Sequence, residues 1–483
     1  MQTTNRPSHT GTTGKGSGHF FFMLVCAVLV SVSIHTKVSA QDNTLLLPEA
    51  VDQGVQSYQS IQAKRNYVNA SEALAKNARN QYLPNVIAAA QHNYGTINGQ
   101  LGPLAPAGVL GVSSSGPTVA NQSWNAAFGS IYIVSTNWEF FTFGRVRASI
   151  QAADAQMRRD SADLMQEKFV HSIKISSAYL NLLISQRLIQ NAESNLDRAL
   201  YVQRNVRART LTGLNPGVDS SLANAELSRA RLVLIDARNN EQQVRNQLAQ
   251  FLNVAPDPFV LDTTLLSKIP AELNTSVTVD KNPQVRYYQA RIDQANSVTK
   301  ALRRTVMPSF TLFGIYQGRG SGFDYNYTPD FSDRYSKSYS DGINPSRYNY
   351  VAGVSLVWNV MSLVKVRQQA HSQSFLAAAY KNEYDQITTQ LNDQLILADQ
   401  RLQNTLQSIR EVPLQYQAAS DAFIQKSVLY KNGLTTIVDL QQAMYALNRA
   451  ETDLGVAYVN IWQALLLKAA ASGDFSLFIN QTR

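Results

Sequence analysis

WEFFTFGRVRA, residues 138–148, returns 220 residues later as WNVMSLVKVRQ, residues 358–368. Trp138 falls on Trp358, Arg145 on Lys365 and Arg147 on Arg367. The same offset carries Gly213-Leu214 and Val218-Asp219 onto Gly433-Leu434 and Val438-Asp439, and Leu227, Arg229 and Ala230 onto Leu447, Arg449 and Ala450. Upstream, Tyr82-Leu83-Pro84 is echoed as Val306-Met307-Pro308 at an offset of 224. A repeat of this length resets the fold question, because each copy then has to be explained as one supersecondary unit.

Each copy reads as helix, strand, loop, strand, long helix, turn, helix. No glycine and no proline stands between Arg145 and Thr212, while Ile175, Leu182, Ile189 and Leu196 recur at heptad steps. That spacing predicts a helix over 145–212 of about 100 Å at 1.5 Å per residue. Its counterpart over 365–432 carries Leu395, Leu402 and Ile409 at the same period. Pro413 removes a main-chain bond there, so a kink or break is expected near Glu411. The returning helices are expected over about 218–253 and 434–471, and the leading helices over about 49–83 and 282–306. The exposed faces carry Gln, Asn and Ser more than charge, which suits contact with other helices or a hydrated lumen, and plain solvation as well.

Two-residue periodicity marks the strands, expected at about 84–94, 124–138, 308–317 and 348–358. In the last, Tyr350, Ala352, Val354, Leu356 and Trp358 share one face. Phe128, Tyr132, Val134 and Trp138 do so in the first copy. All four have the length a tilted strand needs to cross a bilayer, and long loops, about 95–122 and 317–347, join the strands of each pair. Trp138, Tyr350 and Trp358 are candidate membrane-interface aromatics. Four strands leave two open edges, and about eight is the smallest number that closes, so the chain is expected to associate: three copies supply twelve strands.

The chain has 483 residues, net charge +9 and one cysteine. Cys26 lies within FFFMLVCAVLVSVSI, residues 20–34, a run of signal-peptide length flanked by Arg6 and Lys15 and followed by Val38-Ser39-Ala40. Cleavage is expected before Gln41, with a retained anchor as the lesser alternative. Loss of Arg6, Lys15 and Lys37 takes the charge from +9 to +6, without any Lys/Arg block, so nucleic-acid binding has little support. Without the thiol, and with only His92, His171 and His371 left, no cofactor, metal or catalytic constellation is expected. No stretch after Ile34 reads as a membrane helix. The segments are therefore a signal peptide 1–40, a first repeat 41–253, a linker 254–281, a second repeat 282–471 and a tail 472–483.

This order, with a helix ending in YLP, a strand pair, W-x-x-F-x-F-G-R, a heptad helix and a G-L-x-x-x-V-D turn, then all of it again, resembles the TolC-type outer-membrane efflux channels. The resemblance covers about Leu45 to Ala471. It implies a mainly α protein with transmembrane β structure: a homotrimer whose 12-stranded β-barrel in outer-membrane lipid continues into a periplasmic α-helical barrel. A mixed equatorial belt would take in residues near Gln41 to Pro48, the linker and the C-terminus. The turns would be periplasmic tips, with Gly213 and Gly433 reversing the chain and Leu214, Val218, Asp219, Leu434 and Val438 near the contact with a periplasmic adaptor protein. Asp439 falls at the tunnel constriction, and Gln442 stands where related channels carry a second acid. For Asp439 and Asp219 alike, helix N-capping is the competing role. Arg229 and Arg449 are candidates to pair with acids near the tips. Val364 replaces Gly144, so the strand-to-helix joint should differ between copies. The function implied is a passive exit duct for an inner-membrane transporter in efflux or type I secretion. The rivals are a periplasmic coiled-coil adaptor or scaffold and, more remotely, an exported enzyme.

Overall fold

Residues 44–99, 120–271 and 277–482 are described by the structure, a computed structural model. The leader with its cleavage site, and most of the 95–122 loop, lie outside these residues. Leu45–Arg483 forms one compact unit, and Met1–Thr44 is counted apart from it.

The chain begins with α1 (Leu47–Ser57) and α2 (Gln59–Arg79). One helix was expected here. It is interrupted at Tyr58, whose ψ of 124° is extended. The Tyr58 ring stacks on His171 with centroids 3.8 Å apart, and Gly54 lets α1 pass close to Ile175 and the Phe251 carbonyl. The break is thus set by a tertiary contact, which no local breaker residue announces.

Strands β1 (Asn85–Thr96) and β2 (Ala126–Phe141) follow, then α3 (Arg145–Leu211) and α4 (Gly217–Leu252). The second copy supplies α5 (Pro283–Arg304), β3 (Ser309–Ser321), the short α6 (Tyr339–Ile343), β4 (Arg347–Val357), α7 (Ser362–Lys431), α8 (Ile437–Ser472) and α9 (Ser476–Ile479). With 67 and 70 residues, α3 and α7 are each about 100 Å long. Helix α7 runs through Pro413 without a break, correcting the expected interruption. Pro413 is exposed, so its ring and the carbonyl it leaves unpaired are not forced into a packed neighbour.

The two copies meet in one antiparallel sheet of order β1-β2-β3-β4, because β2 pairs with β3 across the repeat boundary. Below it α3 packs against α4 and α7 against α8, while α5 lies against both α3 and α7. Between α3 and α8 a bidentate ion pair joins Arg198 to Glu451 at 3.0 and 2.7 Å.

The main core sits part-way along the long helices. Ile175, Leu180, Leu182 and Leu183 of α3 and Ile461, Trp462 and Leu465 of α8 meet Leu47, Leu261, Leu265 and Phe478 there. Two side chains tie the linker into this belt. The Trp462 indole N–H donates to the carbonyls of Leu265 and Lys268, and the Tyr179 hydroxyl donates to the Leu45 carbonyl at 2.7 Å and accepts from the Asp262 N–H at 3.1 Å. Burial pushes the Tyr179 phenol up to about 12, so it stays neutral. Helix α8 is long and apolar enough to cross a membrane, contrary to the sequence expectation, yet 61% of its apolar window is buried inside the protein. Its hydrophobicity builds the belt.

Candidate functional site

At the far ends of the long helices the chain turns back twice in the same way. Gly213 and Gly433 have φ of +76° and +74°, a left-handed conformation that costs glycine little. In each turn the next residue's N–H reaches back five positions, Leu214 to the Arg209 carbonyl and Leu434 to the Leu429 carbonyl, both at 2.9 Å. This six-residue closure satisfies carbonyls that would otherwise end the helix unpaired. The turn and the first turn of the returning helix then present apolar side chains to solvent: Leu214 is 71% exposed, Val218 62%, Leu434 72% and Val438 58%. Large exposed aliphatics at the end of a polar rod are a contact surface rather than a core.

Neither Asp219 nor Asp439 is the N-cap residue. Helix α8 is capped by Thr436, whose hydroxyl accepts from the Asp439 N–H, while the Asp439 carboxylate accepts from the Thr436 hydroxyl and N–H, completing a reciprocal capping box. The T-x-x-D spacing at 436–439 was legible, with the residues' roles reversed. The Thr436 hydroxyl first, then Thr435, the Thr436 N–H and the Lys426 ammonium 3.8 Å away, hold Asp439 below the usual carboxylate range. Asp439 therefore stays ionised at neutral and mildly acidic pH. Its stabilisation of the turn is lost only as pH falls below that range. Gln442, one turn on, is exposed and adds no charge.

Helix α4 starts differently, with Pro216 at the cap and no side-chain cap bond. Asp219 instead accepts from the Asn215 amide at 2.8 Å, and that amide also reaches the Tyr430 hydroxyl of α7 at 2.9 Å. Arg209, near the end of α3, donates to the Asn215 side-chain oxygen at 3.0 Å and to the carbonyls of Tyr430 and Lys431 at 3.3 and 2.7 Å. Burial first, and the Asp219 charge second, raise the Tyr430 phenol, which is thus a neutral group at physiological pH. Sequence reading missed Arg209, Asn215 and Tyr430, since the chain gives no sign that the two turns, some 220 residues apart, touch. The matched arginines behave unalike. Arg449 pairs with Asp453 on its own helix at 3.8 Å, and Arg229 lies over the Tyr445 ring at 5.1 Å.

At the other end of the molecule the register sorts the sheet into two faces. Trp138, Leu312 and Val354 lie in one row, and Val134, Tyr316 and Tyr350 in another, all on one face. Tyr350 and Trp358 are eight residues apart on that face, roughly 26 Å along a strand, the height of an apolar band between interfacial aromatics. The Trp138 indole donates to the Tyr82 carbonyl at 2.8 Å and the Trp358 indole to the Val306 carbonyl at 3.0 Å. These bonds join the two halves of the repeated motif, the helix end before the proline and the strand end. The opposite face carries Gln91, Asn93, Gln317 and Asn349 among its apolar residues. At the joints, Gly144 has φ +83° before α3, whereas α7 begins at Ser362, so Val364 is already helical. Among the described residues no group of His, Cys, Asp and Glu could hold a metal ion.

Residues 50–254 match the outer membrane efflux protein family. The outer-membrane channel OprN superposes with a TM-score of 0.69 at 18% identity, over 89% of this chain and 90% of that one. VceC of Vibrio cholerae gives 0.68 at 16%, over 88% and 96%, and the open MtrE channel of Neisseria gonorrhoeae gives 0.67 at 18%, over 89% of each. No curated protein matched the chain. The first repeat thus carries the pattern of the outer membrane efflux protein family over residues 50–254, and the chain as a whole shares the fold of these outer-membrane channels.

Proposed function

We propose that this chain is one third of an outer-membrane exit duct, which passively conducts solutes delivered by an inner-membrane transporter through a periplasmic adaptor. One observation carries the reading. A bilayer-length sheet with two open edges, β1 and β4, stands on helical hairpins about 100 Å long. Lipid does not tolerate open edges, and three copies close them into twelve strands. The aromatic face then meets outer-membrane lipid and the polar face lines the lumen, while the helices form the periplasmic tube. Exposed Leu214, Val218, Leu434 and Val438 are the adaptor's contact. A periplasmic adaptor or scaffold would have no use for the aromatic face.

Purified from membranes after a carbonate wash, the protein should crosslink as a trimer and open conducting channels in planar bilayers. Carbonate-soluble monomer without channel activity would reject the duct.

Asp439 is proposed to line the constriction as well as to cap α8. Its two roles separate by chemistry. Asparagine keeps a hydrogen-bond acceptor and removes the charge, whereas alanine removes both. Asp439→Asn should weaken block of the channel by multivalent cations, with the tip's structure kept. Unchanged conductance and block in both variants would take Asp439 out of the constriction. An effect confined to alanine would leave it the capping role alone.

A further inference from the structure

The strands carry very little charge, and its placement is uneven. Within β1 to β4 the charged residues are Glu139, Arg319 and Arg347. Glu139 lies at the helix end of β2 and pairs with Arg145. The two arginines lie at the opposite end, where the long loops join the strands, and the register sets them directly across from one another. Like charges in that position repel and weaken a strand pair.

Both are exposed, and among the described residues no carboxylate pairs with either of them. Arg347 donates to the Ser346 carbonyl at 3.0 Å. Asp324 and Asp341 line a neighbouring hollow together with Arg334 and Arg347, without an ion pair to Arg347. The Asp341 carboxylate is engaged by the Ser336 and Ser340 hydroxyls. The first long loop, residues 97–125, contains no charged residue at all. Arg319 and Arg347 share their face with Gln91, Asn93 and Asn349, and all five line one open concavity. Two like charges set opposite one another, neither held in an ion pair among the described residues, leave a net positive pair turned to the open concavity.

Resting on the duct reading above, we propose that Arg319 and Arg347 form a cationic ring at the outer mouth of the barrel. This ring favours anionic solutes, those bearing carboxylate or phosphate groups, at the last step of exit. Three copies bring six guanidinium groups to one level of the lumen. A low-dielectric wall of a single sign concentrates counter-ions in a pore, and rings of arginine are a recurrent way to select anions. The Asp439 carboxylates stand at the far end of the tube, beyond the range at which salt leaves the two rings coupled.

The test is the reversal potential across a tenfold KCl gradient, with purified trimer in planar bilayers. R319Q/R347Q should lower the chloride-to-potassium permeability ratio by about two-fold or more, and R319K/R347K, which keeps the charge, should restore it. Inorganic phosphate added on the barrel side should reduce the current of the parent channel more than that of the glutamine variant. A conducting glutamine variant with the parent ratio and the parent response to phosphate would overturn the ring alone. Absence of current from the parent protein would overturn the duct itself, and the ring with it.

Discussion

Replacing Gly433 by valine should cut export to about one tenth or less, with assembly of the trimer retained. The residue sits at φ +74°, where an L side chain costs on the order of 1–2 kcal/mol and a β-branched one more. One or two kcal/mol changes the population of a local structure by roughly 5–30-fold. A Cβ at this position would lie 3.6 Å from the Arg209 guanidinium, an ordinary contact, so it is the further methyls of valine that crowd the group holding the end of α7. The backbone strain thus falls on the turn that presents Leu434 and Val438, beside the arginine that supports it. Gly213 is a built-in control. It has φ +76° but meets nothing within 4 Å, so Gly213→Val should carry the backbone strain without the contact and impair export less. Dye accumulation in cells that lack another duct, read beside crosslinking of the trimer, checks both. Undiminished export by Gly433→Val would remove the second turn from the docking surface. The main core is remote from either turn, lying around Tyr179 and Trp462, so loss of assembly is not expected.

The duplication made most of the architecture legible, because two weak patterns at a fixed offset constrain each other. Heptad apolar residues such as Ile175, Leu182 and Leu402 are indeed buried. What stayed hidden depends on contacts between distant residues. Tyr58 reads as ordinary helix, and only its stacking on His171 shows why the chain breaks there. Pro413 reads as a breaker, yet its cost of about 3 kcal/mol falls on one turn of a 70-residue helix that continues on both sides of it. Helix α8 was not read as apolar enough to cross a membrane, although it is, and it supplies the belt with Ile461, Trp462 and Leu465. The Asp439 position was visible from the turn motif. Its capping partner was visible too, since Thr436 stands three residues earlier. The Arg209–Asn215–Tyr430 cluster was not, because each member is an unremarkable polar residue until the two turns are brought side by side.

That cluster leads to the second large effect. If the channel widens by moving one hairpin away from the other, the bonds that bind α3 and α4 to the end of α7 exist only in the closed arrangement. Arg209 makes three of them or their supports, to Asn215 and to the carbonyls of Tyr430 and Lys431. Hydrogen bonds from a charged group contribute about 1.5–3 kcal/mol each when sheltered, less where water competes. A combined loss of about 3 kcal/mol would shift a closed-to-open equilibrium by more than one hundred-fold. Arg209→Ala should thus raise the mean conductance of the purified channel several-fold, from rare openings to frequent ones. Tyr430→Phe deletes only the hydroxyl that the Asn215 amide reaches, and should act in the same direction but more weakly. The apolar contacts of Val202, Val206 and Ala223 with Tyr430, Ile437 and Leu440 remain in both, so the hairpins stay folded and the effect lies in their separation. Single-channel recording distinguishes this from a general loosening. Opening of the cluster lengthens the time spent in the conducting state, with the conductance of the fully open level unchanged. Equal open probability in the parent and Arg209→Ala would show that the cluster ties the tips without gating them.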